Sequence, residues 1–311
     1  MLNFTSKRYT VIVLALLLLV LSFSFIAQVP AGKVLGADTI TPFTLAINTP
    51  PAQIPFQAKS ISPPQLTAAA YLVLEPQSHT ILWGKNAQQK VPIASLTKIM
   101  TALVAYENYP LDKQIVVPEI EEDGSLMGLN KGEIITTEAL LWGLLLNSGN
   151  DAAQALAAAY PGGATKFVSA MNQKARKLSL NNTHFTNPVG WNNKDHYSTA
   201  MDLAHLTWYF LKQPLLAQMV STQAKIVTSV PVENSRIKGG KRWHHLKNTN
   251  PLLGKITGVR GIKTGFTTEA GQCLITYVER KGRKLLIVIL GSNNREEETE
   301  ELISWGFKGW K

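Results

Sequence analysis

Apolar residues first appear as one unbroken run, from Val11 to about Ala27, and only later with a regular period. The early run has no polar face, so it does not read as a buried amphipathic helix. It follows Lys7-Arg8 and leads into the small-residue stretch Ala31–Ala37, the charged, apolar and small-residue layout of an export signal. Its length also approaches the ~20 residues that span a bilayer. Residues 1–37 are therefore expected to be a signal peptide or an N-terminal membrane anchor. Residues 38–66, rich in Pro, Thr, Gln and Ala, read as an extended tether without helical period.

From Thr67 the pattern becomes that of a packed domain, residues 67–311. Ala68–Glu75 and Thr80–Trp83 are predicted strands around Pro76-Gln-Ser-His79. Pro92 then precedes a helix with Ser95 at its entrance and Ile99, Ala102, Leu103 and Tyr106 along one face. Further helices are predicted over Thr137–Leu146, Asp151–Tyr160, Lys166–Leu178 and from about Thr199 to Leu211. The last third changes kind. Gly258–Thr267, Gly271–Glu279 and Lys284–Gly291 read as strands, and Glu296–Phe307 as a closing helix. Strands at both ends of a helical middle predict an α+β fold, an antiparallel sheet closed by the terminal segments.

The apolar fraction, 45%, is that of a globular protein with a substantial core. Basic residues exceed acidic ones by 31 to 21, with one local cluster over Arg236–Lys247. That cluster leaves open nucleic acid, an anionic envelope polymer or no partner at all; no helix-turn-helix, zinc or ribonucleoprotein pattern accompanies it, so no nucleic-acid partner is expected. The single cysteine, Cys273, falls in a predicted strand and reads as a small buried hydrophobe.

Three motifs carry chemistry: Ser95-Leu-Thr-Lys98, Ser148-Gly-Asn150 and Lys263-Thr264-Gly265. On a helix, Ser95 and Lys98 share one face a turn apart. Serine needs a base to become a nucleophile, and a lysine serves once burial and nearby positive charge lower its pKa. Ser148 and Asn150 lie in a break between helices, suited to relaying a proton and holding a substrate carbonyl. Lys263 and Thr264 offer a cation and a hydroxyl for a terminal carboxylate, while Gly265 leaves room for a substrate backbone. Strand alternation sends Lys263 and Thr264 to opposite faces, so a shared site requires twist or an edge position. Chance copies of the first two motifs occur at Ser235-Arg-Ile-Lys238, Ser179-Leu-Asn181 and Ser292-Asn-Asn294, in contexts without the needed helix or cleft.

The ordered set is that of class A β-lactamases and penicillin-binding proteins. With Asn147–Ala152, His184–Gly190, Gly261–Thr267, Glu269-Ala-Gly and Trp305-Gly-Phe, the chain resembles the exported D-alanyl-D-alanine carboxypeptidases, the small penicillin-binding proteins. The resemblance implies a β-lactamase/transpeptidase-like fold with a helical subdomain, a peptidoglycan stem-peptide substrate and covalent inhibition by β-lactams. It implies Ser95 as acylated nucleophile, Lys98 as base, and Ser148 and Asn150 as relay and amide clamp. Lys263, Thr264 and Arg295 would hold the carboxylate, and the N–H groups of Ser95 and Phe266 would form the oxyanion hole. Family members often carry histidine at the position of Phe266. No metal or organic cofactor is needed.

Two features favour a carboxypeptidase over a class A β-lactamase. The second motif reads Ser-Gly-Asn, and no glutamate occurs between Asp151 and Glu233. The alternatives are a D,D-endopeptidase cutting peptidoglycan cross-links and a non-catalytic cell-wall-binding module. A metal hydrolase is disfavoured because the six histidines form no His-Glu-x-x-His pattern, and His244-His245 point apart on a strand. Most histidines are expected at the surface or in turns. No Gly-x-Ser-x-Gly marks an α/β-hydrolase. The product is expected outside the cytoplasm, secreted or held at the membrane by its N-terminal segment.

Overall fold

The computed structural model describes residues 61–231 and 240–309, all within a unit that spans residues 42–311. The expected leader, residues 1–37, and residues 38–60 of the expected tether lie outside the described residues. The last part of that tether is seated on the domain: Ile61 and Leu66 pack against its core, and Trp305 Nε1 donates to the Ile61 carbonyl at 3.2 Å. Among the described residues no helix is long and apolar enough to cross a membrane.

In chain order the strands are β1 (Ala70–Glu75), β2 (Thr80–Lys85), β3 (Gln114–Val116), β4 (Ile134–Thr136), β5 (Ala224–Thr228), β6 (Trp243–Lys247), β7 (Val259–Thr267), β8 (Gly271–Arg280) and β9 (Arg283–Ser292). The helices are α1 (Lys98–Asn108), α2 (Thr137–Leu146), α3 (Asn150–Ala158), α4 (Gly163–Lys177), α5 (Ala200–Leu211), α6 (Pro214–Val220) and α7 (Arg295–Lys308).

The central sheet is antiparallel, in the order β2-β1-β9-β8-β7. β1 pairs with β9, so segments from both ends of the domain close the sheet, as the sequence pattern predicts. Both strands are buried on two faces, and their alternation sorts residues into two cores. Leu72, Leu286, Val288 and Leu290 face the helices, whereas Tyr71, Val73, Leu285, Ile287 and Ile289 pack with Leu302, Ile303 and Trp305. β8 and β9 meet at Lys281-Gly282, both with positive φ, the two-residue turn that matches strand twist.

Five helices, α2, α3, α4, α5 and α7, start and stop within three residues of their predicted bounds. Thr136 and Thr199 cap α2 and α5, accepting from Ala139 N at 3.3 Å and Asp202 N at 3.0 Å. β3, β4, β5 and α6 are additions to the sequence reading, and β6 is the strand that carries His244-His245. The β3 and β4 strands are three residues each, too short to show a period. Burial of the histidines also differs from expectation: His196 and His244 are 3% and 5% exposed, each hydrogen-bonded inside the fold.

Candidate active site

The predicted helix entrance at Ser95 is a 3₁₀ turn, Ala94–Thr97, which feeds directly into α1. Ala94 takes φ +47°, an uncommon conformation for a residue with a β-carbon. Ser95 caps no helix here. Its Oγ instead lies 2.8 Å from Lys98 Nζ, which also donates to the Val189 carbonyl at 2.8 Å. Lys98 is wholly buried. Desolvation first, then the charge of Lys263, push its pKa well below that of an ordinary lysine, with Asp151 opposing. A hydroxyl therefore sits beside an amine inclined to be neutral, the arrangement a serine nucleophile requires.

Ser148 has φ +58° in the break between α2 and α3, which turns its side chain into the cleft. Asn150 opens α3; its amide donates to the Asp123 carbonyl, and its own N–H donates to Ser125 O at 2.7 Å. Asp151 beside it is buried and collects the N–H groups of Met127, Gly128, Leu129 and Ala152 at 2.9–3.0 Å. That carboxylate pins the long β3–β4 connection against the cleft, and Asp123, Gly124 and Ser125 become part of its wall.

β7 is the outer strand of the sheet on this side. Alternation holds: Thr264 lines the cleft, while Lys263, 1% exposed, lies beneath it and donates to the Thr264 carbonyl at 3.0 Å. Burial, with help from Arg295, holds the Lys263 pKa down at about 7. Thr264 Oγ1 is 2.7 Å from Thr249 Oγ1. Arg295, at the start of α7, also lines the cleft and donates to the Gly265 carbonyl at 2.8 Å. On its β-carbon side Gly265 packs against the turn that carries Ser95. A β-carbon there would stand 3.1 Å from Ile93 O and 3.2 Å from Ser95 N, so the nucleophile turn itself explains this glycine. Phe266 projects from the rim, 64% exposed.

The cleft encloses about 560 Å³ and is reached by Ser95, Ser148, Asn150, Thr264, Gly265, Phe266 and Arg295 together. Lys98 and Lys263 complete the cluster from below. All nine predicted site residues thus converge on one place, from segments far apart in sequence.

The sequence reading missed the residues that hold this place in shape. Asn187 Oδ1 accepts from the N–H groups of Val189, Gly190 and Trp191 at 3.2, 2.7 and 3.0 Å. The resulting turn aims the Val189 carbonyl at Lys98 and the Pro188 carbonyl at Thr101 Oγ1, 2.6 Å away. His196 ties the same turn to the one that carries Ser95. Its Nδ1 accepts from Thr186 N at 3.1 Å, leaving Nε2 to donate to Thr97 Oγ1 at 2.7 Å; that hydroxyl donates to the Ala94 carbonyl at 2.8 Å. Burial lowers the His196 pKa to about 4, keeping the ring neutral and this tautomer fixed. The fragment His184–Gly190 contains Asn187 but not His196, and nothing local marks either as a partner of the Ser95 turn.

Comparisons with known proteins agree on one family. The sequence pattern of the family described as D-alanyl-D-alanine carboxypeptidase matches residues 57–294. A D-alanyl-D-alanine carboxypeptidase of Bacillus subtilis is 32% identical over 76% of this chain, which spans 60% of that relative's length. One from a Streptomyces strain is 32% identical over 80% of this chain and 90% of its own. A Pseudomonas aeruginosa D-alanyl-D-alanine endopeptidase is 34% identical over 77% of this chain and 74% of its own. Among solved structures, a Streptomyces DD-transpeptidase superposes with a TM-score of 0.74 at 31% identity, covering 80% of this chain and 100% of its own.

Proposed function

Because the chain belongs to the D-alanyl-D-alanine carboxypeptidase family of serine peptidases, we propose that it removes the terminal D-alanine from peptidoglycan stem pentapeptides through an ester on Ser95. We propose equally that β-lactams acylate the same hydroxyl. The single observation that carries this reading is the 2.8 Å contact between Ser95 Oγ and the buried Lys98 amine.

In the first step neutral Lys98 takes the Ser95 proton as Oγ attacks the carbonyl of the penultimate D-alanine. The N–H groups of Ser95 and Phe266 receive the developing oxyanion, in a site already fixed by the turn at Gly190. Collapse breaks the C–N bond, and the Lys98 proton passes by way of Ser148 to the departing amine. In the second step water attacks the ester, Lys98 takes its proton, and the proton returns to Ser95 Oγ. Asn150 clamps the substrate amide. Thr264 and Arg295 meet the terminal carboxylate at the cleft surface, with the buried charge of Lys263 behind them. Such work places the domain outside the cytoplasmic membrane, with residues 1–37 as its signal or anchor.

Relatives from Pseudomonas aeruginosa and Escherichia coli are named D-alanyl-D-alanine endopeptidases, which makes cross-linked stem peptides the second substrate to test. Incubation of the purified protein with a pentapeptide precursor is expected to release free D-alanine. Cleavage of cross-linked muropeptides with no D-alanine from the pentapeptide would assign the endopeptidase activity instead. Failure of both, with no covalent labelling by penicillin, would leave a wall-binding module.

A further inference from the structure

The described part of the basic cluster, residues 240–247, which the cleft does not use, lies along β6, paired with β5 in an antiparallel hairpin. Its inner face is fixed. Val227, His244 and Leu246 are buried, His244 Nε2 sits 2.6 Å from Glu133 Oε1, and Val230 N donates to Ile134 O at 2.7 Å. The platform is therefore rigid, backed by the same segment that walls the cleft.

The outer face is unlike the rest of the surface. The register sets Thr228 beside Trp243, Ile226 beside His245 and Ala224 beside Lys247. Trp243 is 64% exposed and Ile226 51%, two of the few large apolar side chains that reach solvent among the described residues. Lys241, Arg242 and Lys247 are exposed along the same hairpin, and its described residues, 221–231 and 240–250, include no acid. An exposed apolar patch rimmed by charge of one sign marks an interaction surface. Two residues beyond Lys247 the chain enters the cleft at Thr249, and Lys247 N donates to Asn147 Oδ1 at 2.8 Å, next to Ser148. From Thr249 to Trp243 an extended chain covers roughly 20 Å at ~3.3 Å per residue.

We propose that this face docks polymeric peptidoglycan while one stem peptide occupies the cleft, an inference that rests on the proposed activity. Sugar rings present apolar faces that fit a flat indole beside an isoleucine, and neighbouring stem peptides carry carboxylates that fit Lys241 and Lys247, with Arg242 adding charge at the hairpin edge. The continuity of strand and cleft puts both contacts on one substrate, so each raises the effective concentration of the other. A soluble pentapeptide reaches only the cleft.

The test uses the full chain in a Ser95→Ala background, which separates docking from catalysis. Wall sacculi are stripped of phosphate polymers, and co-sedimentation is compared for the Ser95→Ala protein and for versions adding Trp243→Ala or Lys241→Glu with Arg242→Glu. Affinity is expected to fall ~10-fold or more for each. With Ser95 restored, D-alanine release from soluble pentapeptide is expected to be unchanged, and release from intact sacculi to fall. Unaltered sedimentation of the variants overturns the proposal. So does binding seen only before phosphate polymers are stripped, or a concentration-dependent dimer that Trp243→Ala abolishes. Loss of D-alanine release from pentapeptide by the unmodified protein would instead count against the activity, leaving the sedimentation result to stand by itself.

Discussion

Gly190 lies so close to Ala94 that a β-carbon on it would fall 2.0 Å from the Ala94 carbonyl oxygen. Its φ of +95° is also one that other residues rarely adopt. Two turns from distant parts of the chain are thus pressed together directly behind Ser95. Gly190→Ala must push the nucleophile turn outward, and a shift of about 1 Å at a reacting atom costs ~10²-fold. The second-order rate of penicillin acylation is expected to fall at least that far, while the far-ultraviolet circular dichroism spectrum is retained.

Lys98 offers a second test. General-base help is worth ~10²–10⁴-fold, so Lys98→Ala is expected to slow acylation by that much with folding kept. In the unmodified enzyme acylation should rise with pH as Lys98 loses its proton, with a midpoint well below an ordinary lysine, because burial and Lys263 disfavour its charge. A rise centred near the usual lysine value would contradict that assignment.

Lys263 is expected to act on recognition, with the opposite pH sign. Its charge is held against burial with a pKa of about 7, so it is lost as pH rises through neutrality. KM for carboxylate-bearing peptides should therefore increase above that pH, with kcat less affected. In Lys263→Met the KM should already be high at pH 6 and no longer depend on pH in this range.

Both lysines also affect stability. Folded, each binds fewer protons than the unfolded chain does between pH 7 and its ordinary pKa of 10.5, so stability rises with pH there. Cys273 opposes this above its ordinary value of 9.0, because burial pushes its thiol up to about 11. The clean window is pH 7 to 9. Denaturant midpoints should climb across it in the native protein and climb less steeply in Lys263→Met, where Lys98 alone still contributes.

His196 touches no part of the cleft wall, yet it links Thr186 to Thr97. His196→Leu leaves the Thr186 N–H and the Thr97 hydroxyl without that partner. Acylation is expected to fall ~10-fold or more, with a smaller change in KM. His196→Gln keeps a side-chain donor and should recover part of the rate. Equal losses in both variants, tracking thermal stability alone, would reduce His196 to a packing residue.

The chemistry was legible in the sequence because nucleophile, base, relay and carboxylate site each need particular residue types. Ser95, Lys98, Ser148, Asn150 and Lys263 could be named as candidates from that basis together with the order of the motifs and the family resemblance, and the long strands and helices by their period. Geometry of close approach was not legible. Gly265 was read as room for substrate; it does line the cleft, but the close approach of Ser95 N and Ile93 O on its β-carbon side was not foreseen. Asn187 and His196 act through hydrogen bonds to residues far away in sequence, which no local pattern encodes. The β5–β6 hairpin pairs Thr228 with Trp243 across a polar, basic stretch, and two strands of five residues each carry too short a period to reveal that pairing.

The central claim is that one hydroxyl, Ser95 Oγ, carries the acyl group. It is tested most directly by incubating the protein with benzylpenicillin and mapping the adduct by peptide mass spectrometry. A penicilloyl mass on the peptide containing Ser95, absent from Ser95→Ala, is the predicted result. An adduct on any other residue, or equal labelling of the alanine variant, would contradict it.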